Sequence, residues 1–286
     1  MTSLLTGTAA DAAPPKAQPE AVIELIPWRN RWVMEAEIGG KVRKYLFDTG
    51  GGLTLIHPDT AKAAGCEPWG QLTGFRMMGQ RGDGPRCDGL AMKVGGLTLA
   101  PQVLTLIDMG QLNPLDSELD GIIGLNLFEN KTITIDFAAG IVTIENEASR
   151  NERIADLRPL PIRLKREVDG LALAVHAAVP TEKGPVFLEL DSGNGGTILI
   201  NKPIAQLLGM DPKAEGKQKA DFKVVGDIRA TTEDAFTPDM IMEGNLGMPF
   251  LRNWVITLDL AHGLAWIGKP PVPPRPALPL PPPPTK

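Results

Sequence analysis

The sequence YLFDTGGGLTLI, residues 45–56, places a carboxylate at the end of an apolar strand. Leu46 and Phe47 lead into Asp48, and Thr49 with three glycines precedes another apolar run. Burying a carboxylate costs free energy unless the group is paired and hydrogen-bonded. The stretch therefore raises the question of which partner Asp48 has.

A second stretch of the chain repeats this pattern. Residues 47–56 read FDTGGGLTLI and residues 190–199 read LDSGNGGTIL, so that Asp48 aligns with Asp191 at an offset of 143 residues. A single Asp-Thr-Gly would indicate no more than a turn, because these residues are common in turns. The second copy makes a purely local role less plausible.

The segments that follow the two Asp motifs also match. Residues 57–65 and 201–209 each have Pro near the start and Gly at the end, which predicts a short helix in both places. Residues 130–144 and 253–267 are identical at seven of fifteen positions, at an offset of 123 residues. Because 143 exceeds 123 by 20, the first repeat carries an insertion of 20 residues after its helix.

The duplication predicts an all-β chain of two tandem lobes with short helices. The lobes are predicted at 21–148 and 156–268, preceded by a flexible segment at 1–20. Residues 269–286 are rich in Pro and predict a disordered, polyproline-like tail. With 31 Gly and 27 Pro the chain favours short strands and turns over long helices.

Composition argues against several classes of function. The net charge is −5 and we find no long basic run, which argues against a nucleic-acid partner. No stretch reaches about 18 apolar residues, so no transmembrane segment is predicted. With three His, two Cys and no metal or nucleotide motif, we expect no metal and no cofactor. Whether Cys66 and Cys87 pair stays open, as does the compartment: export fits a signal peptide upstream of the given start, and a cytoplasmic location fits its absence.

The paired motifs resemble the retropepsin and pepsin superfamily of aspartic proteases. In that family Asp-Thr/Ser-Gly is followed by two apolar residues and Gly, as in Asp48–Gly50 with Ile122–Gly124. Asp191–Gly193 with Asn245–Gly247 matches less well, because Asn245 replaces an apolar residue. The resemblance covers residues 20–268 and implies two retropepsin-like β-barrel lobes, related by a pseudo-two-fold axis and fused in one chain of bacterial type.

The resemblance also implies the chemistry. Asp48 and Asp191 would face each other across the axis as the catalytic pair and share one proton, because two close carboxylates cannot both ionise cheaply. The chain would then be an aspartic endopeptidase with an acidic optimum, acting on a peptide or protein substrate as a monomer. The residues expected to support the two loops are Thr49, Gly50, Ser192 and Gly193.

The insertion in the first lobe is predicted to form the flap, a hairpin over the substrate. Residues 74–89 contain several glycines around a polar tip, and such residues suit a mobile lid. Within the flap we expect Phe75, Met77, Met78 and Gly79 to touch substrate. The alternative is that they pack on the lobe's own core.

Some residues depart from the family pattern. Gly51 and Asn194 follow the two Asp motifs where a small residue, often a hydroxyl residue, is usual, and Gly51 offers no side-chain hydrogen bond to Asp48. The flap tyrosine of pepsin is missing, since Tyr45 is the only Tyr. These departures leave open a catalytically silent, bilobal peptide-binding protein. A β-rich structural module and a carboxylate-pair glycosidase fit the duplicated motif and the low aromatic content less well.

Overall fold

A computed structural model of the protein describes residues 16–101 and 104–272. Most of the predicted flexible segment at 1–20 and of the predicted tail at 269–286 lies outside these ranges. Strands dominate the described residues, which confirms the all-β class. No helix within them is long and apolar enough to cross a membrane.

The described residues form 22 strands. In chain order they are β1 Ala21–Trp28, β2 Arg31–Ile38, β3 Lys41–Phe47, β4 Leu55–Ile56, β5 Trp69–Phe75, β6 Arg81–Cys87, β7 Met92–Val94, β8 Leu97–Leu99, β9 Leu104–Leu106, β10 Gly121–Ile123, β11 Thr132–Asp136, β12 Ile141–Glu145, β13 Arg158–Pro159, β14 Ile162–Lys165, β15 Ala174–Val179, β16 Val186–Leu190, β17 Ile198–Ile200, β18 Gln218–Val225, β19 Ile228–Phe236, β20 Gly244–Leu246, β21 Val255–Asp259 and β22 Leu264–Gly268.

The helices are short, as the sequence predicts. The α-helices are α1 Pro58–Ala63, α2 Met109–Leu112, α3 Glu147–Ile154 and α4 Met248–Leu251, and the 3₁₀ helices are Pro114–Asp116, Leu125–Phe128 and Lys202–Leu208. The two helices predicted after the Asp motifs are α1 and the 3₁₀ helix that ends at Gly209. Gly209 has a φ of 74°, a left-handed conformation that glycine adopts without strain.

The two lobes have corresponding sheets. In the first lobe the strand order is β1-β2-β3-β10-β4-β9-β6-β5, with the hairpin β7–β8 attached to β2. In the second lobe the order is β14-β15-β16-β20-β17-β19-β18. Between helix α1 and strand β10 the first lobe has two hairpins, β5–β6 and β7–β8. Between the 3₁₀ helix Lys202–Leu208 and strand β20 the second lobe has the single hairpin β18–β19. The insertion predicted from the offsets lies in this region.

The lobes are joined by a shared antiparallel sheet through the pseudo-two-fold axis. Strand β11 pairs with β21, so that Thr134 lies opposite Thr257, its own counterpart at the offset of 123 residues. The two buried hydroxyl oxygens are 2.9 Å apart. Ile133 lies opposite Leu258 and Ile135 lies opposite Ile256, which is the reciprocal pattern of a two-fold interface.

A disulfide between Cys66 and Cys87 answers the question that the sequence left open. The Cα atoms of the two residues are 6.0 Å apart, within the range of native disulfides. Cys66 follows helix α1, and Cys87 ends strand β6 of the flap hairpin. The bond therefore attaches the base of the flap to the body of the first lobe.

Candidate active site

Asp48 and Asp191 lie at the same position of the two lobes and meet between them. Each follows a strand, β3 or β16, that runs parallel to the short Gly-containing strand β10 or β20. The backbone N–H of Asp48 donates to the carbonyl of Ile123 at 3.0 Å, and that of Asp191 donates to the carbonyl of Leu246 at 3.1 Å. The structure thus brings together the two carboxyl groups that the sequence predicts as a pair, and they are close enough to hydrogen-bond each other.

Thr49 and Ser192 link the two Asp loops by four reciprocal hydrogen bonds. The backbone N–H of each residue donates to the side-chain oxygen of the other, both at 3.0 Å. The Thr49 hydroxyl donates to the carbonyl of Leu190 at 2.6 Å, and the Ser192 hydroxyl donates to the carbonyl of Phe47 at 2.7 Å. All four bonds are buried, so the two loops form one rigid unit.

Gly50 and Gly193 are required by the close approach of the opposite carboxyl group. A Cβ on Gly50 would lie 2.6 Å from the Asp191 carboxyl carbon, and a Cβ on Gly193 would lie 2.5 Å from that of Asp48. The Gly50 N–H donates to Asp48 at 3.0 Å, and the Gly193 N–H donates to Asp191 at 2.8 Å. Each glycine therefore admits one carboxyl group while it holds the other.

The environment of Asp48 favours its protonated form. Burial, the charge of Asp191 and the hydrogen bond between the two carboxyl groups raise its pKa well above the ordinary value, and Glu189 adds to the effect. The Gly50 N–H acts in the opposite direction. A raised pKa is what two carboxyl groups sharing one proton require.

The second Asp loop differs from the first through a buried polar cluster, of which the sequence analysis singled out only Asn245, as a departure from the family pattern. The cluster consists of His176 on β15, Glu189 on β16 and Asn245 on β20, all nine-tenths or more buried. At the offsets of the duplication their counterparts in the first lobe are Val33, Leu46 and Ile122, which pack in an apolar cluster. Aligning the repeats residue by residue would have revealed the difference.

The cleft between the lobes encloses about 610 Å³ and has an apolar and a charged part. Apolar side chains from the first lobe line it together with both Asp residues, and Lys165 and Glu167 contribute from the second lobe. Arg31 and Asp116 also line it and form an ion pair of 2.6 Å. Burial opposes the ionisation of Asp116, but bonds from Arg31 and Trp28 outweigh burial and lower its pKa.

The predicted flap is the hairpin β5–β6, which lies over this cleft. Phe75 and Met77 line the cleft, while Met78 is exposed. A Cβ on Gly79 would lie 3.2 Å from Ile241 of the second lobe. The Met77 carbonyl accepts a hydrogen bond of 3.0 Å from the Ile241 N–H. The flap tip therefore reaches across to the opposite lobe. Phe75 is 58% exposed and does not pack on the core of the first lobe.

Tyr45 does not take the place of a flap tyrosine. It is fully buried on β3, and its hydroxyl donates to Asp120 at 3.0 Å. Burial and the Asp120 carboxylate raise the pKa of the phenol. The side chain belongs to the core of the first lobe.

Comparisons with known proteins agree with this geometry. The sequence model of the aspartyl protease family matches residues 34–127, which include Asp48 and Ile122–Gly124. Comparison with curated proteins finds no match. Many solved structures share the fold. Basic 7S globulin from soybean is 11% identical, with a TM-score of 0.56 over 86% of this chain and 93% of that chain. Conglutin gamma, a basic 7S globulin from lupine seeds, is 11% identical, with a TM-score of 0.60 over 88% and 96%. A third structure, named edgp, is 10% identical, with a TM-score of 0.57 over 88% and 95%.

The fold and the paired Asp motifs resemble those of the aspartyl proteases, and the family model and the solved structures support the resemblance that the sequence predicts. The family match covers one lobe, and the similar structures named above include two globulins. Likeness at this level of identity shows the fold and leaves activity to be argued from the site.

Proposed function

We propose that this protein is an aspartic endopeptidase that hydrolyses peptide bonds with a water molecule activated between Asp48 and Asp191. The observation that carries the proposal is the contact of the two carboxyl groups, held by the reciprocal bonds of Thr49 and Ser192. Bringing two like charges together in a cleft is costly, and a structural role offers no compensation for that cost.

The chemistry follows from one proton shared by two acids. The ionised carboxylate takes a proton from the water, whose oxygen forms a bond to the scissile carbonyl carbon. The protonated carboxyl group gives its proton to the carbonyl oxygen, which yields a neutral tetrahedral diol. The carboxyl group that took the proton from the water gives it to the amide nitrogen as the C–N bond breaks. One hydroxyl of the diol gives its proton to the other carboxylate, which restores the singly protonated pair. The two acids titrate as a unit, so activity requires the singly ionised pair.

A peptide in an extended conformation is the substrate that the cleft favours. Leu46, Leu55 and Ile107 line it beside Asp48, and these side chains would bury apolar groups of the substrate. The flap residues Phe75 and Met77 would close over the chain from the other side. Excluding water in this way strengthens the electrostatic interactions around the two acids.

A peptide-binding protein without catalysis is the second candidate. Gly51 favours it, because this position lies against Asp48 and provides no side-chain donor to the carboxyl group. The cleft would then bind the same extended peptides and release them without cleavage.

The deciding experiment incubates the purified protein with an unfolded casein-like substrate between pH 3 and 8, beside Asp48→Asn and Asp191→Asn. We expect cleavage by the wild type in the acidic range and a loss of at least about 10³-fold in either variant, since each substitution removes one half of the pair. Asp59→Asn is the matched control, because the Asp59 side chain is 92% exposed on helix α1.

Two results would contradict the endopeptidase. One is a wild type that cuts nothing across this range, and the other is a variant of either Asp that cuts as well as Asp59→Asn. Binding of the intact peptide by calorimetry in the first case would establish the silent binding protein.

A further inference from the structure

The two acids of the pair have unequal hydrogen-bond environments. Among the described residues Asp48 accepts from one N–H of its loop, that of Gly50. Asp191 accepts from the backbone N–H of Gly193 at 2.8 Å, from that of Asn194 at 3.1 Å and from the side chain of Asn245 at 2.5 Å. Donors favour the ionised form of a carboxyl group, so the second lobe stabilises a negative charge more than the first.

The hydrogen bonds of the neighbouring residues allow only one orientation of the Asn245 side-chain amide. Asn194 uses its carbonyl oxygen to accept from Thr197, through both the backbone N–H at 3.1 Å and the hydroxyl at 3.0 Å. The NH₂ group of Asn194 therefore points at Asn245 and donates to its carbonyl oxygen at 2.7 Å. With that oxygen occupied, Asn245 must present its NH₂ group to Asp191.

Both protons of this NH₂ group have acidic acceptors. Asn245 donates to Asp191 at 2.5 Å and to Glu189 at 3.3 Å. The other oxygen of Glu189 lies 3.6 Å from Nε2 of His176. Burial, opposed by His176 and aided by the charge of Asp191, raises the pKa of Glu189, so its neutral form is favoured. The shorter distance makes Asp191 the stronger of the two acceptors of the Asn245 side chain.

Among the described residues of the first lobe we find no such polar cluster. Val33, Leu46 and Ile122 occupy the matching positions and pack in an apolar cluster beside Asp48. A Cβ on Gly51 would lie 3.2 Å from both the Asp48 carboxyl group and Ile122, which shows how close the apolar cluster comes. An apolar neighbour favours the neutral form of a carboxyl group.

We infer that Asp191 carries the negative charge of the pair in the free protein and that Asn245 is the positioning residue that keeps it there. In terms of the proposed function, on which this part rests, Asp191 is the base that takes the proton of the water. Asp48 is then the acid that protonates the carbonyl oxygen. Two of the residues that depart from the family pattern, Asn194 and Asn245, thus act together.

Carbon-13 NMR of the Asp carboxyl groups tests the location of the charge without requiring activity. The signal that is absent from the spectrum of Asp48→Asn is assigned to Asp48, and the signal absent from that of Asp191→Asn is assigned to Asp191. The wild type is then titrated from pH 3 to 8. We expect Asp191 to ionise at the lower pH and Asp48 to keep its proton through the acidic range. Ionisation of Asp48 before Asp191 would overturn the inference, whether or not the protein cleaves peptides.

Substitution of Asn245 tests its positioning role. Asn245→Leu keeps the shape of the side chain and removes the donor. A bond to a charged acceptor is strong enough that its loss should move the first ionisation of the pair upward by about one to two pH units. The acidic limb of the kcat/KM profile should move with it. A limb that stays in place, with Asp191 ionising as in the wild type, would show that Asn245 is only structural.

Two further variants keep this test specific. Ile122→Asn places an amide at the mirror position beside Asp48 and should lower the pH at which Asp48 ionises. Asn151→Leu makes the same chemical change as Asn245→Leu on the exposed helix α3 and should leave the titration unchanged. Other ionisable groups in the cleft, which the variants leave in place, are Arg31, Arg76, Asp83, Asp116, Lys165 and Glu167.

Discussion

At the scale of single residues, the hydroxyl groups of Thr49 and Ser192 decide whether the two Asp loops form one site. Each oxygen both donates to a carbonyl and accepts an N–H from the opposite loop. A residue of the same shape without the hydroxyl would leave a buried N–H and a buried carbonyl without partners. The cost of such groups exceeds the small net gain of an ordinary hydrogen bond.

We therefore expect Thr49→Val to lower the free energy of unfolding by about 1–3 kcal/mol, with a fall in any peptidase activity. Ser192→Ala should act similarly, and the double variant should lose less than the sum, because the two side chains share one network. Urea unfolding measures the effect. Thr98→Val, on the exposed face of β8, is the control. An equal loss of stability in this variant would show that the loss in Thr49→Val does not come from the buried hydrogen bonds.

At the scale of secondary-structure elements, the flap is held at two places. Its base is attached by the Cys66–Cys87 disulfide, and its tip by the bond between Met77 and Ile241 of the other lobe. The covalent attachment fixes the position of the hairpin on the first lobe. The single hydrogen bond at the tip can break at much lower cost than the covalent bond.

Removal of the disulfide is a prediction that belongs to this scale. Cys66 and Cys87 are 21 residues apart, and a loop of this size should contribute about 3 kcal/mol to stability. Cys66→Ala with Cys87→Ala should lose about that amount in urea unfolding and be cleaved faster within residues 74–89 by an added protease. The wild type in reductant should show the same loss of stability and the same faster cleavage. If reductant destabilises the double variant as much as the wild type, the disulfide is not the cause.

At the scale of the whole molecule, the two lobes are related by a pseudo-two-fold axis, and they differ in the polar side chains that they bury. Thr134 meets its own counterpart Thr257 on the axis, and Thr49 meets Ser192. The second lobe then departs from the symmetry by burying Glu189 and His176 where the first lobe buries Leu46 and Val33. Buried ionisable groups couple the stability of the fold to pH.

Stability of the protein should respond to pH through these acids. Burial raises the pKa of both Asp48 and Glu189. Above pH 4 the unfolded chain loses those protons first, so the folded state binds more protons and stability falls as pH rises towards the raised pKa values. The slope is about 1.4 kcal/mol per pH unit for each proton. Below pH 4 the contribution of these two groups is constant.

Urea unfolding between pH 3.5 and 7 measures this dependence as a difference between variants. Asp48→Asn and Glu189→Gln should each have a flatter profile than the wild type, because one buried ionisation is removed. Asp59→Asn should run parallel to the wild type, since its side chain is exposed. A wild type whose stability rises relative to Asp48→Asn over this range would contradict the raised pKa of Asp48.

The amino-acid sequence by itself determined the repeat, the all-β class and the pairing of Asp48 with Asp191. Periodic strands, glycine turns and proline-initiated helices are local signals, so both short helices could be predicted. The long-range information came from the duplicated motif and its resemblance to the aspartic proteases, which implies that the two Asp loops face each other across a pseudo-two-fold axis.

Only the tertiary structure decided which side chains surround the acids. His176 and Glu189 lie opposite each other on the consecutive strands β15 and β16, but Asn245 joins them from β20, 56 residues beyond Glu189. No local pattern marks Asn245 as their neighbour. The Cys66–Cys87 bond and the contact of the flap with Ile241 depend likewise on distances between elements. A carboxyl group responds to every charge and donor within a few ångströms, so its properties follow from packing, which sequence order does not reveal.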